Sequence, residues 1–483
     1  MIHTNFFRYS TLAFLLAYGL NSHAESASNV TIKKYTIEPT PSFYVPYTGP
    51  SAAVRQIFPQ GFAPAVGSGL AFKNRRADGS LVFLGITDRG PNADGPEVMQ
   101  NDDKTMSSKI FPAANFTPLI ATIVVNANQA KIESVLPIKN PNGQVISGRP
   151  LQKGIGATGE VAVDDNLTAL PYDENGLDTE SLVIDGQNLW TSDEYGPFIV
   201  KMDTTGKILH RYAPGNGKAD LPMVLAKRRA NRGMEGLSLE PISGVLHGFI
   251  QSPLNGGKID MPSTNKSVKV QDFAKFVRWL AFDPKTETSK LYAYPIEAND
   301  YKGGKTGNAK LGDLLALGSN RFITIEQGTG SDGKVFNALM LVEIPKNASE
   351  ITTIGVDLEK SSIIGASVDG ADYSKITPLK KNMLLNLNQA GWVAEKAEGL
   401  TLADDKTIAL INDTDFGVRT AVLDSNGVEL AKADITECKA NSKGTLQDEC
   451  ANQQVRVVKG AVTESTQNLW LLEFPKPLKD YQP

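Results

Sequence analysis

Histidine is scarce in this 483-residue chain. There are four, and two of them, His3 and His23, fall within the first 24 positions. Only His210 and His247 remain to serve a Ser-His-Asp triad. His247 lies in the apolar run VLHGFI, where a packed histidine is expected. There is no GxSxG nucleophile elbow, and Ser68 sits in GSGL instead. HExxH, CxxC, Walker A and dinucleotide fingerprints are missing as well, which removes the common zinc, redox and nucleotide chemistries. Cysteine is limited to Cys438 and Cys450, 12 positions apart in the polar segment ECKANSKGTLQDEC. In an exported chain this spacing predicts one local disulfide. Excess basic charge is also lacking. The net charge of −4 carries no nucleic-acid footprint and no attraction to anionic membranes.

Long apolar runs are missing after the N-terminus, so no stable membrane insertion is expected. The N-terminus itself reads as a targeting segment over residues 1–24. Arg8 precedes the apolar stretch YSTLAFLLAYGL, and Ser22-His23-Ala24 offers small residues for cleavage. A signal peptide places the mature chain in a periplasm or outside the cell, as a secreted protein. The remaining residues, 25–483, contain no Pro-rich, Ser/Gly-rich or like-charge linker and are expected to form a single domain.

What is present is a repeat. Five segments share a short apolar strand, a turn and a second apolar strand with a polar end. They are GSGLAFKNRRADGSLVFLGITDRGP from Gly67, TESLVIDGQNLWTSDEYGP from Thr179, MEGLSLEPISGVLHGFIQSPL from Met234, GDLLALGSNRFITIEQGTG from Gly312 and AEGLTLADDKTIALINDTDFG from Ala397. Each reads as an antiparallel hairpin, with turn chemistry such as Asp185-Gly186. The runs IVKMDTTGKILHRY from Ile199 and VRWLAFDPKTETSKLYAYPI from Val277 would supply outer strands. This pattern predicts an all-β fold: a β-propeller of six or seven four-stranded blades. The motif spacings of 112, 55, 78 and 85 residues call for a loop insertion in the N-terminal third, between Asn92 and Asp178. The end strand TQNLWLLEF is expected to complete a blade with N-terminal residues and so close the ring.

Acidic residues fall in matching phases of these hairpins. Glu180, Glu235 and Glu398 start the first strand, with Asp313 and Ser68 as their counterparts. Asp88, Asp193 with Glu194, Gln251, Glu326, and Asp413 with Asp415 end the second. In a propeller, equal phases form a ring, so two tiers of oxygen ligands would converge at a channel mouth. Crowded carboxylates persist by holding protons or a cation. Oxygen ligands without histidine favour a hard ion, Ca²⁺ best and Mg²⁺ next. The competing reading is that these acids only cap strand ends and turns. Arg89 in DRGP and Arg232 in NRGME flank the acids and are suited to phosphate or carboxylate. They can equally pair with their acidic neighbours. The run Lys227-Arg228-Arg229 reads as a solvated loop face.

At these residues the chain resembles the phytase-like family, described as "esterase-like activity of phytase". The matching stretches are SGLAF…ITDRGPN, ESLVIDGQNLWTSDEYGPFI, NRGMEGLSL…FIQSPL, VRWLAFDP, DLLALGSNRFITIEQ and EGLTLADDKTIALINDTDFGV, over about residues 65–420. The resemblance implies an exported β-propeller whose acids carry phosphoester hydrolysis. By position these are Asp88, Glu180, Asp193, Glu194, Glu235, Glu326, Glu398 and Asp413, and the chain departs from the series at Ser68. The leading expectation is therefore a Ca²⁺-dependent hydrolase of a small-molecule phosphoester. Its metal ligands would come from Asp88, Glu180, Glu194, Glu235, Glu326, Glu398 and Asp413. Glu235, Glu398, Asp193, Arg89 and Arg232 would be catalytic. A carboxylic-ester or lactone hydrolase on the same metal, or a non-catalytic binding propeller, are the alternatives.

Overall fold

The computed structural model describes residues 29–100, 104–262 and 266–483. The expected targeting segment lies outside them. The fold is all-β, and its main body is five four-stranded antiparallel units. The first unit holds Gly69–Arg75, Leu81–Ile86, Leu119–Val125 and Ala130–Pro137. The second runs from Val183–Asp185 to Ile208–Tyr212, the third from Met234–Leu239 to Thr288–Pro295, and the fourth from Ala309–Gly318 to Lys380–Asn386. The fifth pairs Gly399–Leu402, Thr407–Ile411 and Asn468–Glu473 with Thr31–Glu38 from the other end of the chain. The terminal strand thus meets an N-terminal strand as expected, and the ring is joined by main-chain hydrogen bonds instead of ending at two free edges.

Local sequence explains the units. Leu81–Ile86 is an unbroken apolar strand buried on both faces, because neighbouring units pack against each side. In the second unit Asp185 pairs with Asn188 across the loop Gly186-Gln187, and Gly186 takes the positive φ (58°) that so tight a turn requires. Separate apolar clusters fill the gaps between units. Ile86 and Ile120 meet Leu189 and Val200, Ile323 and Leu339 meet Leu400 and Trp470, and Leu70 and Phe83 meet Ile411 and Leu469. A larger cluster around Trp190, Phe249, Trp279 and Phe322 joins the second, third and fourth units.

The first strands of the five units touch in a closed cycle. Hydrogen bonds staple that cycle: Gly399 N–H to Gly67 O at 2.9 Å, Leu311 N–H to Gln251 O at 3.0 Å, and the Thr179 hydroxyl to Thr87 O. Asp313 is the strongest staple. Its carboxylate accepts from Leu314 N–H (2.9 Å), Leu400 N–H (3.1 Å) and Leu237 N–H (3.4 Å), tying three units together. For this acid the capping reading is correct.

The described residues form five units where the spacing suggested six or seven blades. The long intervals hold excursions instead. Residues 87–118 and 138–182 flank the outer strands of the first unit, within the interval where an insertion was expected. A further excursion, 412–467, splits the fifth unit and was not anticipated. These segments share an apolar cluster containing Phe62, Ile110, Phe116, Val161, Phe416 and Val457. They also pair directly, Lys439 opposite Glu97 in parallel register. The disulfide Cys438–Cys450 is formed within the third excursion.

Candidate active site

Two elements of each hairpin bring the acids together: the residue entering the first strand and the residue leaving the second. Pairing in register sets them side by side, so Glu398 N–H donates to Ile411 O (3.1 Å) and Glu180 N–H to Ser192 O (3.3 Å). Closure of the ring then faces the units toward one another. Two triads of carboxylates result, Asp88 with Asp413 and Asp415, and Asp178 with Glu180 and Glu194. In each, one oxygen per residue lies within 4.8 Å of the others. Oxygens sharing one Ca²⁺ at 2.3–2.6 Å stand at most roughly 5 Å apart, so either triad matches a shared hard cation in spacing and donor type.

The three strand-start glutamates share this space. Burial raises the carboxyl of Glu180 well above its ordinary value, with the charges of Glu235 and Glu398 adding to it. Burial does the same to Glu235, again reinforced by Glu398 and Glu194. Burial pushes Glu194 up to about 7 and Glu398 up to about 8. It lifts Asp413 to about 6 against the pull of Lys396, and raises Asp88 well above the carboxylate range with help from Asp413. Two amides bridge the ring. The Gln251 side chain donates to Glu194 (2.9 Å) and Glu235 (3.0 Å), and that of Gln327 donates to Glu398 (3.1 Å).

Cations close the site. Arg89 Nε lies 3.5 Å from Asp178 and its Nη1 3.5 Å from Glu160. Lys396 Nζ contacts Asp413 at 3.2 Å and Asp415 at 2.7 Å. Asp415 and Phe416 are held at φ of 44° and 56°, a left-handed pair that turns the Asp415 carboxylate back toward Lys396. Arg89, Lys396 and Asp415 together line a cavity of about 510 Å³ that also receives Asn92, Lys109 and Arg419 from the excursions. Each triad has a cation beside it, Lys396 at Asp413 and Asp415 and Arg89 at Asp178, whose buried Oδ2 accepts no hydrogen bond.

Three expected residues are placed differently. Glu326 is not in the cluster: it accepts from Tyr294 of the third unit (2.7 Å), Tyr301 of the connection that follows (2.8 Å) and Lys381 of the fourth unit (2.6 Å). Strand alternation decides this, because its neighbour Gln327 takes the site-facing phase. Asp193 spends Oδ1 on the N–H groups of Asp178 (3.1 Å) and Tyr195 (3.0 Å), so it positions the triad, while burial raises it to about 7. Arg232 donates to Ala309 O at 3.4 Å, and its charge acts on Glu194 and Glu235 from one side. Ser68 is buried with an unpartnered hydroxyl. The Lys227-Arg228-Arg229 run is a solvated face only in part: Lys227 is exposed and Arg229 half-buried. Arg228 is buried and bonds the carbonyls of Ile155 and Ala157, because the second excursion folds over it.

Asp178, Glu160, Lys396, Lys310 and Gln327 were not anticipated from sequence. A weak signal existed for two of them: Asp178 and Lys396 each stand two residues before a strand-start glutamate. His247 is buried and accepts from the Trp279 indole at 3.0 Å, as a packed histidine should.

Fold and site together describe an all-β ring with a buried carboxylate cluster walled by arginine and lysine. Residues 67–416 match the family described as Phytase-like, esterase-like activity of phytase, and the chain belongs to that family. No curated protein matches the chain. Among solved structures it is similar to a putative oxidoreductase (glucose dehydrogenase) from Thermus thermophilus, at 11% identity over 74% of this chain and 93% of that one, TM-score 0.28. It is also similar to a periplasmic gluconolactonase from Pseudomonas aeruginosa, at 10% identity over 84% and 85%, TM-score 0.29. A putative 6-phosphogluconolactonase from Bacteroides uniformis is 10% identical over 82% and 87%, TM-score 0.27. Scores this low bear on neither substrate nor mechanism.

Proposed function

We propose that this chain is an exported hydrolase of phosphoesters that uses a hard divalent cation, Ca²⁺ in preference to Mg²⁺. We read its five-unit ring as a β-propeller and residues 25–483 as one domain. The observation that carries the proposal is the pairing of an oxygen-only carboxylate cluster with a basic wall. Asp178, Glu180 and Glu194 would hold the cation, with Glu235 close by and Asp193 fixing the backbone that presents Asp178. Bound there, such an ion polarises a phosphoryl oxygen and lowers the pKa of a water. The chain's own residues do the rest. Arg89 and Lys396 face the large cavity and offset negative charge on a phosphoryl group. Glu398, raised to about 8, is poised near neutrality to exchange a proton with the attacking water or the leaving oxygen. Gln251 and Gln327 hold the glutamates in place.

Export is supported by the disulfide, which belongs to an oxidising compartment. No helix among the described residues is long and apolar enough to cross a membrane. The test compares nitrophenyl phosphate with nitrophenyl acetate on one purified sample. Phosphate release that a chelator abolishes and Ca²⁺ restores is expected. Turnover of the acetate alone would shift the assignment to a carboxylic-ester or lactone hydrolase. Calcium-dependent melting without turnover of either ester would make the ring a binding protein.

A further inference from the structure

On the other side of Lys396 from the large cavity lies a second one, about 170 Å³, between the third and fourth units and the segment that enters the fifth. Four cations line it: Arg229, Arg232, Lys310 and Lys396. Their environment is unusual for surface charge. Lys310 is half-buried and makes no hydrogen bond or salt bridge, and Arg232 and Lys396 both act on it as like charges. Arg229 donates to Gly307 O at 3.0 Å and Arg232 to Ala309 O at 3.4 Å, so both guanidinium groups are held by backbone and keep further N–H groups free. Glu395 is the carboxylate on the lining, and behind it Glu398 acts on Lys310, Glu194 and Glu235 on Arg232, and Asp272 on Arg229. On the lining itself four cations face one carboxylate; Lys396 is paired with Asp413 and Asp415, and Lys310 is left as the cation without a salt bridge. Asn308 and Thr329 add neutral hydrogen-bonding groups.

Like charges gathered in a partly desolvated space cost free energy unless a counter-ion joins them. A planar guanidinium pair with a mobile ammonium suits a compact oxyanion, with the arginines giving forked contacts and the lysine a point charge. The volume is adequate for one, since a water occupies about 30 Å³ of liquid and a tetrahedral oxyanion a few times that.

We infer that this cavity is an anion-binding site for a phosphate-type oxyanion, held by Arg229, Arg232 and Lys310. The ligand is either free phosphate or a second phosphoryl group on the molecule whose ester occupies the large cavity. The site stands on its own cations and does not depend on the chain being a hydrolase.

Orthophosphate binding to the chelator-treated full chain, followed by calorimetry, tests it without turnover. One-to-one binding is expected, weakened about tenfold or more by Lys310→Gln and by Arg229→Gln, equal to at least one step of 1.4 kcal/mol. Lys310→Arg should bind much as the parent does. Lys432 lines the large cavity and not the small one, so Lys432→Gln should leave binding unchanged. No binding of orthophosphate or sulfate at millimolar concentration overturns the inference. So does binding that Lys432→Gln weakens and both cavity variants leave intact. Methylenebisphosphonate on the Ca²⁺-loaded protein separates the two sources. Tighter binding than orthophosphate, lost in Lys310→Gln, assigns the site to a second phosphoryl group, and equal affinities assign it to free phosphate.

Discussion

Arg89 and Asp178 meet twice: the Arg89 backbone N–H donates to Asp178 Oδ1 at 3.1 Å, and the Arg89 Nε lies 3.5 Å from Oδ2. Arg89 follows the second strand of the first unit and Asp178 precedes the first strand of the second, so packing of these two neighbouring units brings them together. The main-chain bond aims the carboxylate, and the side-chain contact tempers its charge without giving Oδ2 a hydrogen bond. An acid held this way is fixed in position yet retains a lone pair for a cation.

Asp178→Asn separates these roles. Asparagine keeps an oxygen for the Arg89 N–H, so the fold should persist with an unchanged circular dichroism spectrum. The charge is lost, and phosphoester turnover should fall about 100-fold or more, the scale of removing one electrostatic stabiliser. Steady-state kinetics at saturating Ca²⁺ decide it, and turnover within a few-fold of the parent would remove Asp178 from the site.

Glu180 and Glu326 should respond in opposite ways to removal of charge. Glu180 is one of several repelling carboxylates, so Glu180→Gln should raise the melting temperature of the metal-free protein and abolish its further rise with Ca²⁺. Glu326 balances Lys381, whose side chain is 5% exposed. Glu326→Gln strands that cation and should cost about 3 kcal/mol, with the Ca²⁺-induced shift intact. Thermal melts with and without Ca²⁺ read both.

Calcium affinity should rise with pH between about 6 and 8. Glu194 and Glu398, raised to about 7 and about 8, carry protons that a cation must displace. Calorimetry in two buffers of different ionisation enthalpy should show proton release that shrinks as pH rises. In the absence of metal the same shifts act on stability. The folded carboxyls hold protons that the unfolded chain, at ordinary values near 4.5, has released. Metal-free stability should therefore decline as pH rises from about 4.5 toward 8.

His247 contributes with the opposite sign. Burial lowers its pKa from 6.5 to about 3, so the unfolded chain binds the proton first as pH falls. Its contribution to stability is complete above 6.5 and is lost on acidification toward 3. Between pH 6.5 and about 4 the loss should be about 3 kcal/mol, at 1.36 kcal/mol per unit. His247→Gln keeps an acceptor for Trp279 but does not titrate. Urea unfolding across this range should show a flatter acid limb for the variant, and parallel limbs would count against the assignment.

The repeat was legible because period-two apolar runs and tight-turn residues are local properties. Val183–Asp185, Gly186 and Asn188 needed nothing from the rest of the chain to announce a hairpin. That the end strand joins N-terminal residues was readable for a related reason, since a lone terminal strand must find a partner; that the partner is Thr31–Glu38 came from the structure. The number of units was not legible. Excursions and additional strands both appear as spacing, and the polar, turn-rich 412–467 segment shows no period.

For the site, sequence alone determined the residue type and phase of the strand-start glutamates, and with histidine scarce it limited the donors to oxygen. The tertiary structure decided membership. Alternation along one strand sent Gln327 to the ring and Glu326 into a pocket of two tyrosines and a lysine. Packing of the first excursion against the segment entering the second unit brought Asp178 to Arg89, register within the fifth unit's hairpin brought Lys396 to Asp413, and closure of the ring set Asp413 beside Asp88. Which charges become neighbours depends on contacts between units far apart in the chain, and a carboxylate's proton affinity is set by those neighbours and by burial. Neither quantity exists until the ring has closed.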